Sequence, residues 1–232
     1  MKRIIGMIPA RMGSTRIRYK NIRYMLDKPL IQYPIDIAKG CDRLAEVWVN
    51  TESEELGRFA QQHGVSFHKR PPELSTDKAT NREFTYQFLQ EHACDYVVMI
   101  NPTSPALMSE TLEHFIDMVE STDYDTILSV VEEKTACFYD GAPINFPLSQ
   151  MINSQLLVPV ERTVWALTAW KRSAFIYNQE HGINPTFGGN LATFPIPKDE
   201  SCDLDTEEDW RIAESVLLAR TNRTEPRYLE LR

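Results

Sequence analysis

Short apolar runs recur along the chain, and most are separated by segments in which apolar residues have helical spacing. The clearest run covers residues 96–100, where three of the five residues are β-branched, and a similar run covers residues 4–9. Runs of this length and composition predict buried strands. Further strands are predicted at residues 47–50, 65–68, 126–131, 164–170 and 192–197.

Helices are predicted between these runs. Ser53 is expected to cap a helix that continues to residue 60, because a serine hydroxyl accepts a hydrogen bond from a free amide of the first turn. Apolar periodicity predicts three more helices, over residues 29–38, 82–90 and 110–120. A last helix is predicted over residues 206–220. The residues on its apolar side are Ile212, Val216 and Leu217.

Strands that alternate with helices predict an α/β fold with a mostly parallel, open sheet and helices on both faces. The alternation fails over residues 132–160, where Gly, Pro and Asn interrupt the pattern. We interpret this segment as an inserted arm or flap for dimerisation within a single domain over residues 1–232. The polar tail after Arg220 is expected to be loose.

Composition excludes several classes of protein. The chain has 232 residues, of which 42% are hydrophobic and 25% charged, as in an ordinary globular domain. A net charge of −8 argues against a nucleic-acid partner, and the apolar runs are too short to cross a membrane. The start of the chain shows no signal peptide, and the four cysteines lack zinc-motif spacing. These features predict a cytoplasmic protein with free thiols.

A basic loop follows the first predicted strand. Five cationic residues lie within thirteen positions of an otherwise acidic chain: Arg11, Arg16, Arg18, Lys20 and Arg23. Backbone amides and guanidinium groups in such a loop can bind phosphate oxygens. The loop has neither the Walker A pattern nor the GxGxxG pattern. The alternative is a solvated basic surface.

Two carboxylates precede the last predicted helix. Asp203 and Asp205 are two positions apart, so on extended backbone both point to the same side and can bind one hard cation such as Mg²⁺. The alternative is that Asp205 or Thr206 only caps the helix. After the central strand, the segment NPTSP at 101–105 forms a turn whose polar groups can also line a sugar site. The five histidines are assigned packing or surface roles.

Five motifs in order resemble the acylneuraminate cytidylyltransferase family. IPARMGS at 8–14 with Lys20 and Asn21 resembles the family's nucleotide-binding loop, and DLDTEED at 203–209 resembles its late acidic element. The other three are NTE at 50–52, RPPELSTD at 70–77 and NPTSP at 101–105. This resemblance implies an enzyme that transfers CMP from CTP to the anomeric hydroxyl of a sialic-acid-like 2-keto sugar acid and releases pyrophosphate.

The resemblance also implies roles for single residues. Catalytic roles fall to Arg11 and Lys20, which would neutralise the triphosphate, and to Asp203 and Asp205, which would hold Mg²⁺. Nucleotide binding is assigned to Ala10, Arg11, Gly13, Ser14, Lys20, Asn21, Arg70 and Asp77. Sugar binding is assigned to Asn101, Ser104, Lys134 and Arg162. A homodimer is expected, with CTP and an acidic sugar as substrates.

The match has departures from the family pattern. Asn101 stands where Gln is usual, and Thr15 and Arg16 are similar to the loop of the related KDO cytidylyltransferases. The segments at 133–139 and 165–168 lack the expected sugar-site patterns. Two alternatives therefore stay open: a related nucleotidyltransferase for an eight-carbon sugar or another nucleotide, and a nucleotide-binding protein without turnover. Retention of both aspartates argues against the last.

Overall fold

A central sheet of seven strands carries the fold in the computed structural model, which describes residues 2–222. Within these residues the strands are β1 (Ile4–Pro9), β2 (Tyr24–Met25), β3 (Lys28–Pro29), β4 (Glu46–Thr51), β5 (Ser66–Lys69), β6 (Tyr96–Ile100), β7 (Thr126–Glu133), β8 (Phe138–Tyr139), β9 (Ala142–Pro143), β10 (Val160–Lys171) and β11 (Leu191–Pro195). The α-helices of the same part of the chain are α1 (Gln32–Lys39), α2 (Glu54–Gln62), α3 (Asn81–Glu91), α4 (Ser109–Ser121), α5 (Arg172–Glu180) and α6 (Glu207–Thr221).

The strand order in the central sheet is β11-β7-β10-β6-β1-β4-β5. All neighbours are parallel except β10, which runs antiparallel to both β6 and β7. The predicted α/β fold with a mostly parallel sheet is therefore confirmed. The antiparallel strand has a simple cause: the chain returns from β7 through the arm without a crossover helix, so its return strand must run the opposite way.

Local sequence signals account for most helix starts. Ser53 accepts a hydrogen bond from the amide of Leu56 at the start of α2, as predicted. Reciprocal side-chain and backbone hydrogen bonds form capping boxes at α3, between Thr80 and Glu83, and at α6, between Thr206 and Asp209.

Three expectations need correction. Helix α1 begins at Gln32 rather than at residue 29, because Lys28 and Pro29 pair with β2 in a small hairpin. Helix α5 was not predicted. The buried side of α6 consists of Trp210 and Ala213, with Leu217 partly buried beside them as predicted, whereas Ile212 is exposed.

The reason for the different α6 face is a separate apolar cluster beside the main core. Its members are Ile17, Met25, Leu30, Tyr33, Leu204, Trp210 and Ala213. Ile17 belongs to the basic loop, and Leu204 lies between the two aspartates. The cluster therefore packs the loop after β1 against the segment before α6.

The arm over residues 132–160 contains the hairpin of β8 and β9 and one short 3-10 helix. Many of its apolar side chains are exposed. No helix within residues 2–222 has the length and apolar character needed to cross a membrane. The tail that was predicted to be loose lies, from residue 223 onward, outside the described residues.

Candidate active site

A cavity of about 340 Å³ opens at the carboxyl ends of β1, β5 and β6. Ligand sites of open α/β sheets lie at this edge, because the loops there face a common crevice. Seven of the residues predicted from the sequence line this cavity: Arg11, Lys20, Asn21, Arg70, Asn101, Asp203 and Asp205. The basic loop and the acidic segment thus lie on the same side of the molecule.

The basic loop is held by backbone contacts and by burial of Ile17. The Asn21 amide donates to the carbonyl of Arg11 over 2.9 Å, and the Asn21 carbonyl accepts from the amide of Ile31 over 2.9 Å. Asn21 therefore joins the start of the loop to the start of α1. Gly13 and Ser14 do not line the cavity, so their predicted contact with a nucleotide stays a prediction.

Lys20 and Arg16 contact the acidic segment directly. The Lys20 Nζ atom donates to the carbonyl of Leu204 over 2.6 Å, and Arg16 pairs with Asp205 over 2.8 Å. Burial lowers the pKa of Lys20, although Asp205 and Asp203 act in the opposite direction. A ligand that brings both negative charge for this ammonium group and a cation for the two carboxylates would therefore complement the charges of the site.

Arg11 is oriented by a neighbouring carboxylate. Its guanidinium pairs with Asp77 over 2.6 Å at the edge of the cavity. The amide of the next residue, Met12, donates to Glu52 over 2.8 Å. Asp77 itself does not line the cavity. Its observed contact positions Arg11, and direct binding of a nucleotide by Asp77 stays a prediction.

Arg70 forms a rigid part of the cavity wall. Its guanidinium donates to the side-chain oxygen of Asn50 over 2.8 Å and to the Asn50 carbonyl over 2.7 Å. It lies over the Phe84 ring at 4.1 Å. Burial lowers the pKa of Arg70 to about 10, which still leaves the group charged at neutral pH. Ala10 donates its amide to the same Asn50 carbonyl over 3.0 Å, which joins β1 to this wall.

Asp203 and Asp205 are free of the helix cap. Thr206 and Asp209 make the cap, and the amide of Asp205 also donates to Asp209 over 3.1 Å. Leu204 fixes the backbone between the two aspartates through a 3.0 Å hydrogen bond from its amide to the carbonyl of Thr103. Partial desolvation of its carboxylate raises the pKa of Asp203, although the residue is exposed to solvent. A hydrogen bond with Thr103 acts in the opposite direction, and the charge of Asp205 raises this pKa further.

The donor set of this pair fits a hard divalent cation. The charge of Asp205 raises the pKa of Asp203, a repulsion that a cation shared by the two carboxylates would offset, and oxygen donors are the ligands that Mg²⁺ prefers. The contact between Arg16 and Asp205 supplies such a charge in the present structure.

Several cavity residues were not predicted. Asn81 and Phe84, from the first turn of α3, and Trp165, from β10, line the cavity. The signal that would have placed Asn81 in the first turn of this helix is Thr80 followed three residues later by Glu83, the pattern of a capping box. Trp165 was noted only as a departure from the expected sugar pattern.

Only one of the four residues predicted to bind the sugar lines the cavity. Asn101 lines the cavity, whereas Ser104 is buried behind it and donates its amide to the carbonyl of Asn101. Lys134 and Arg162 do not line the cavity. Arg162 lies 3.7 Å from Glu133, across the pair of strands next to the arm.

A second cavity of about 600 Å³ adjoins the first. Asn81 and Trp165 line both cavities, so the two are contiguous. Arg82, Asn184 and Phe187 complete much of its wall. An aromatic pair with amide groups and one guanidinium is a surface that suits a polar ring carrying a negative charge.

The chain is similar to known proteins in sequence and in fold. A family model described as cytidylyltransferase matches residues 5–203. The chain is 31% identical to an N-acylneuraminate cytidylyltransferase of Escherichia coli, over 92% of this chain and 52% of that protein. It is 27% identical to a CMP-N,N'-diacetyllegionaminic acid synthase of Legionella pneumophila, over 93% of this chain and 96% of that protein.

Curated relatives such as the Escherichia coli protein are longer, and the chain spans about half the length of several of them. Among solved structures, a CMP:2-keto-3-deoxy-manno-octonic acid synthetase complexed with CTP superposes with a TM-score of 0.70. It is 16% identical and is matched over 95% of this chain and all of that chain. At this identity the likeness confirms the fold.

The charge of Asp203 generates a stability prediction. Because the folded state raises the pKa of Asp203, Asp203→Asn removes a charge that folding disfavours. Without nucleotide or divalent ions at pH 7, the melting temperature is expected to stay unchanged or rise by about 1–3 °C. Any gain should vanish below the ordinary pKa of aspartate, where both states are protonated.

The matched control is Asp205→Asn, which removes an exposed ion pair with Arg16 and should change stability by no more than about 0.5 kcal/mol. Thermal unfolding followed by circular dichroism measures both variants. A lower melting temperature of Asp203→Asn at pH 7 would contradict the proposed environment of this carboxylate.

Proposed function

Because the chain belongs to the cytidylyltransferase family, we propose that it transfers CMP from CTP to the anomeric hydroxyl of a sialic-acid-like 2-keto sugar acid and releases pyrophosphate. The observation that carries this proposal is one cavity lined by Arg11, Lys20, Asp203 and Asp205. The similarity to N-acylneuraminate and legionaminic acid enzymes supports the choice of acceptor.

The chain's residues suit an in-line displacement at phosphorus. The acceptor oxygen would form a bond to the α-phosphorus while the bond to the pyrophosphate oxygen breaks. Arg11 and Lys20 would stabilise the negative charge that grows on the leaving pyrophosphate, and Arg70 would form a fixed wall of the nucleotide site. Such reactions depend on alignment and charge stabilisation rather than on a protein nucleophile.

Mg²⁺ is part of the proposal, with Asp203 and Asp205 as its protein ligands. A bound Mg²⁺ would neutralise phosphate charge and lower the pKa of a nearby hydroxyl. The raised pKa of Asp203 and the contact of Asp205 with Arg16 support this role, since the first shows a carboxylate that would gain from a nearby cation and the second shows that a cationic group already binds at this pair.

An eight-carbon acceptor is the second candidate. It is favoured by Thr15 and Arg16 in the basic loop, which resemble the loop of KDO cytidylyltransferases. The nine-carbon and eight-carbon candidates share CTP and differ in the acceptor. A panel of acceptors therefore distinguishes them.

The direct test is pyrophosphate release with Mg²⁺ and each of CTP, UTP, GTP and ATP against a panel of 2-keto sugar acids. We expect release that requires both CTP and a sialic-acid-like acceptor. Asp203→Asn should lower kcat by about 10²–10³-fold, because one group that stabilises transition-state charge is lost. Asp199→Asn is the control, since Asp199 pairs with Arg220 and does not line the cavity.

Release with another nucleotide, or only with an eight-carbon acid, would assign the second candidate. The absence of release with every pair would leave a nucleotide-binding protein without turnover. An Asp203→Asn variant that keeps full activity would contradict the metal-binding role.

The second cavity is the proposed acceptor site. Arg82, in the first turn of α3, lines the second cavity and would bind the acceptor carboxylate. Trp165 and Phe187 would contact the sugar ring. In contrast, Lys134 and Arg162 line neither cavity.

We expect Arg82→Ala to raise KM for the acceptor by at least about tenfold, since a charge-assisted hydrogen bond to a carboxylate is lost. KM for CTP should stay within about twofold of the wild-type value. Arg162→Ala is the comparison, with no expected change in either constant. If Arg162→Ala raises KM for the acceptor and Arg82→Ala does not, the acceptor binds beside the arm instead.

The arm supports a homodimer. Phe138, Tyr139, Leu148, Met151 and Leu156 are each more than half exposed, and Met151 is fully exposed. Monomeric proteins seldom leave so many large apolar side chains of one segment in water. We propose that a second copy of the chain covers them.

Sedimentation velocity is expected to give a dimer for the wild-type protein and a monomer for the double variant Leu148→Asp, Met151→Asp. A charge on a buried interface prevents its desolvation. Ile212→Asp, on the exposed side of α6, is the control and should remain dimeric. A monomeric wild-type protein, or a double variant that stays dimeric, would contradict this proposal.

We also propose that the protein is cytoplasmic. The four cysteines, Cys41, Cys94, Cys137 and Cys202, are all free. Free thiols persist in a reducing compartment. The negative net charge likewise supports small anionic substrates bound by a local basic loop rather than a nucleic-acid partner.

A further inference from the structure

Two histidines and a glutamate meet at the edge of the sheet, outside both cavities. His68 lies in the edge strand β5, Glu91 is the last residue of α3, and His92 follows it. The His68 Nδ1 atom is 2.9 Å from His92 Nε2 and 3.7 Å from Glu91 Oε2. All three ligand atoms lie within 4.8 Å of one another. His68 is buried, His92 is half-buried and Glu91 is exposed.

The hydrogen bonds of Gln87 assign the proton of His68. The Gln87 amide nitrogen donates to Glu91 Oε1 over 2.6 Å, because a carboxylate only accepts. The Gln87 oxygen therefore faces His68 Nε2 at 2.8 Å and accepts a hydrogen bond from its N–H. In the neutral ring, Nδ1 then carries a lone pair that accepts a hydrogen bond from His92 Nε2, so metal binding requires the His92 proton to move to its Nδ1.

The same arrangement surrounds histidine ligands of metals. A metal-bound imidazole usually donates its other N–H to a carbonyl or carboxylate, which fixes the ring and its tautomer. Gln87 does this for His68 and also holds Glu91. Burial lowers the pKa of both His68 and His92, so both rings are neutral at pH 7, the form in which imidazole binds a metal.

The rings are also held by aromatic packing. His92 stacks on Phe88 with ring centroids 4.2 Å apart and contacts Trp48 at the same distance. Phe88 contacts His68 edge-on at 5.0 Å. These contacts cover one side of the cluster, whereas the side of Glu91 faces solvent and leaves room for water.

We propose that His68 Nδ1, His92 Nε2 and Glu91 Oε2 bind one divalent transition-metal ion of the Zn²⁺ class. Two imidazoles and a carboxylate form a donor set that suits Zn²⁺ or Co²⁺ and disfavours Mg²⁺. Tetrahedral coordination at zinc–nitrogen distances requires ligand atoms about 3.3 Å apart. This value lies between the 2.9 Å from His68 Nδ1 to His92 Nε2 and the 3.7 Å from His68 Nδ1 to Glu91 Oε2. Water supplies the remaining ligand.

This site differs in place and chemistry from the carboxylate pair of the active site. It joins β5 to the carboxyl end of α3. Arg70 follows β5 two residues after His68, and Phe84 lies in the first turns of α3, where it packs against Arg70. A metal bound at the histidines therefore stabilises two elements that form the wall of the nucleotide cavity.

The test uses the full-length chain without a histidine tag, after treatment with a chelator. Titration with Co²⁺ should give visible d–d absorption typical of four-coordinate cobalt, and calorimetry with Zn²⁺ should give one equivalent bound. Zn²⁺ should also raise the melting temperature, because it binds the folded state. Glu91→Gln and His92→Gln should each weaken Zn²⁺ binding by at least about tenfold.

Two controls separate this site from other metal ligands. His63→Gln removes a histidine that stacks on Phe59 outside the cluster, and it should bind one equivalent as the wild type does. Cys94→Ser removes a thiol close in sequence. Its sulfur is not among the three clustered ligand atoms, so the variant should bind normally.

His68 is buried, so its variants risk misfolding. The test therefore uses variants of the other two ligands, Glu91 and His92, which are closer to the surface. Wild-type binding no tighter than that of His92→Gln would overturn the proposal and leave the two rings as a hydrogen-bonded pair in aromatic packing. Loss of binding in Cys94→Ser would overturn it as well. These readouts need no substrate, so they are independent of the proposed transferase activity.

Discussion

The arrangement of the site depends on one apolar contact, the burial of Ile17, Leu204 and Trp210 in a single cluster. Ile17 lies in the basic loop and Leu204 in the acidic segment, so the cluster joins two segments that are far apart in sequence. Neither segment has regular structure of its own over these residues. Removal of apolar surface from water therefore orders both, and it brings Lys20 within 2.6 Å of the Leu204 carbonyl.

The same contact brings opposite charges into a partly desolvated space. The pKa of Lys20 is lowered and that of Asp203 is raised, because partial desolvation disfavours the charged form of each group. Such an arrangement costs stability in the free protein. It favours a ligand that carries negative charge to the lysine and a cation to the aspartates, and a nucleoside triphosphate with Mg²⁺ has this charge pattern.

Local signals allowed much of the fold to be predicted. The apolar runs of β1 and β6 and the cap of α2 depend on residues close in sequence. The direction of β10 and the buried face of α6 depend on tertiary contacts, and periodicity alone does not report them. Ile212 fits the helical pattern, yet Trp210 is buried because Arg23 and the apolar cluster lie on its side.

The residues of the site also divide into those that local motifs predict and those that only tertiary packing brings together. Arg11, Lys20 and the aspartates were found because they belong to compact motifs beside predicted strand ends. Asn81 and Phe84 belong to a helix whose first turn reaches the cavity only after β5 and α3 pack together. The meeting of His68 and His92, 24 residues apart, was likewise invisible in the sequence because no regular spacing joins a strand residue to a helix end.

The most direct test of the central claim is calorimetric titration of CTP into the wild-type protein, Arg11→Ala and Asp203→Asn, each with and without Mg²⁺. If the basic loop and the aspartates bind one triphosphate, Arg11→Ala weakens binding under both conditions, whereas Asp203→Asn removes the gain in affinity that Mg²⁺ gives the wild type. Unchanged CTP affinity in Arg11→Ala, or a full Mg²⁺ effect in Asp203→Asn, would contradict the account.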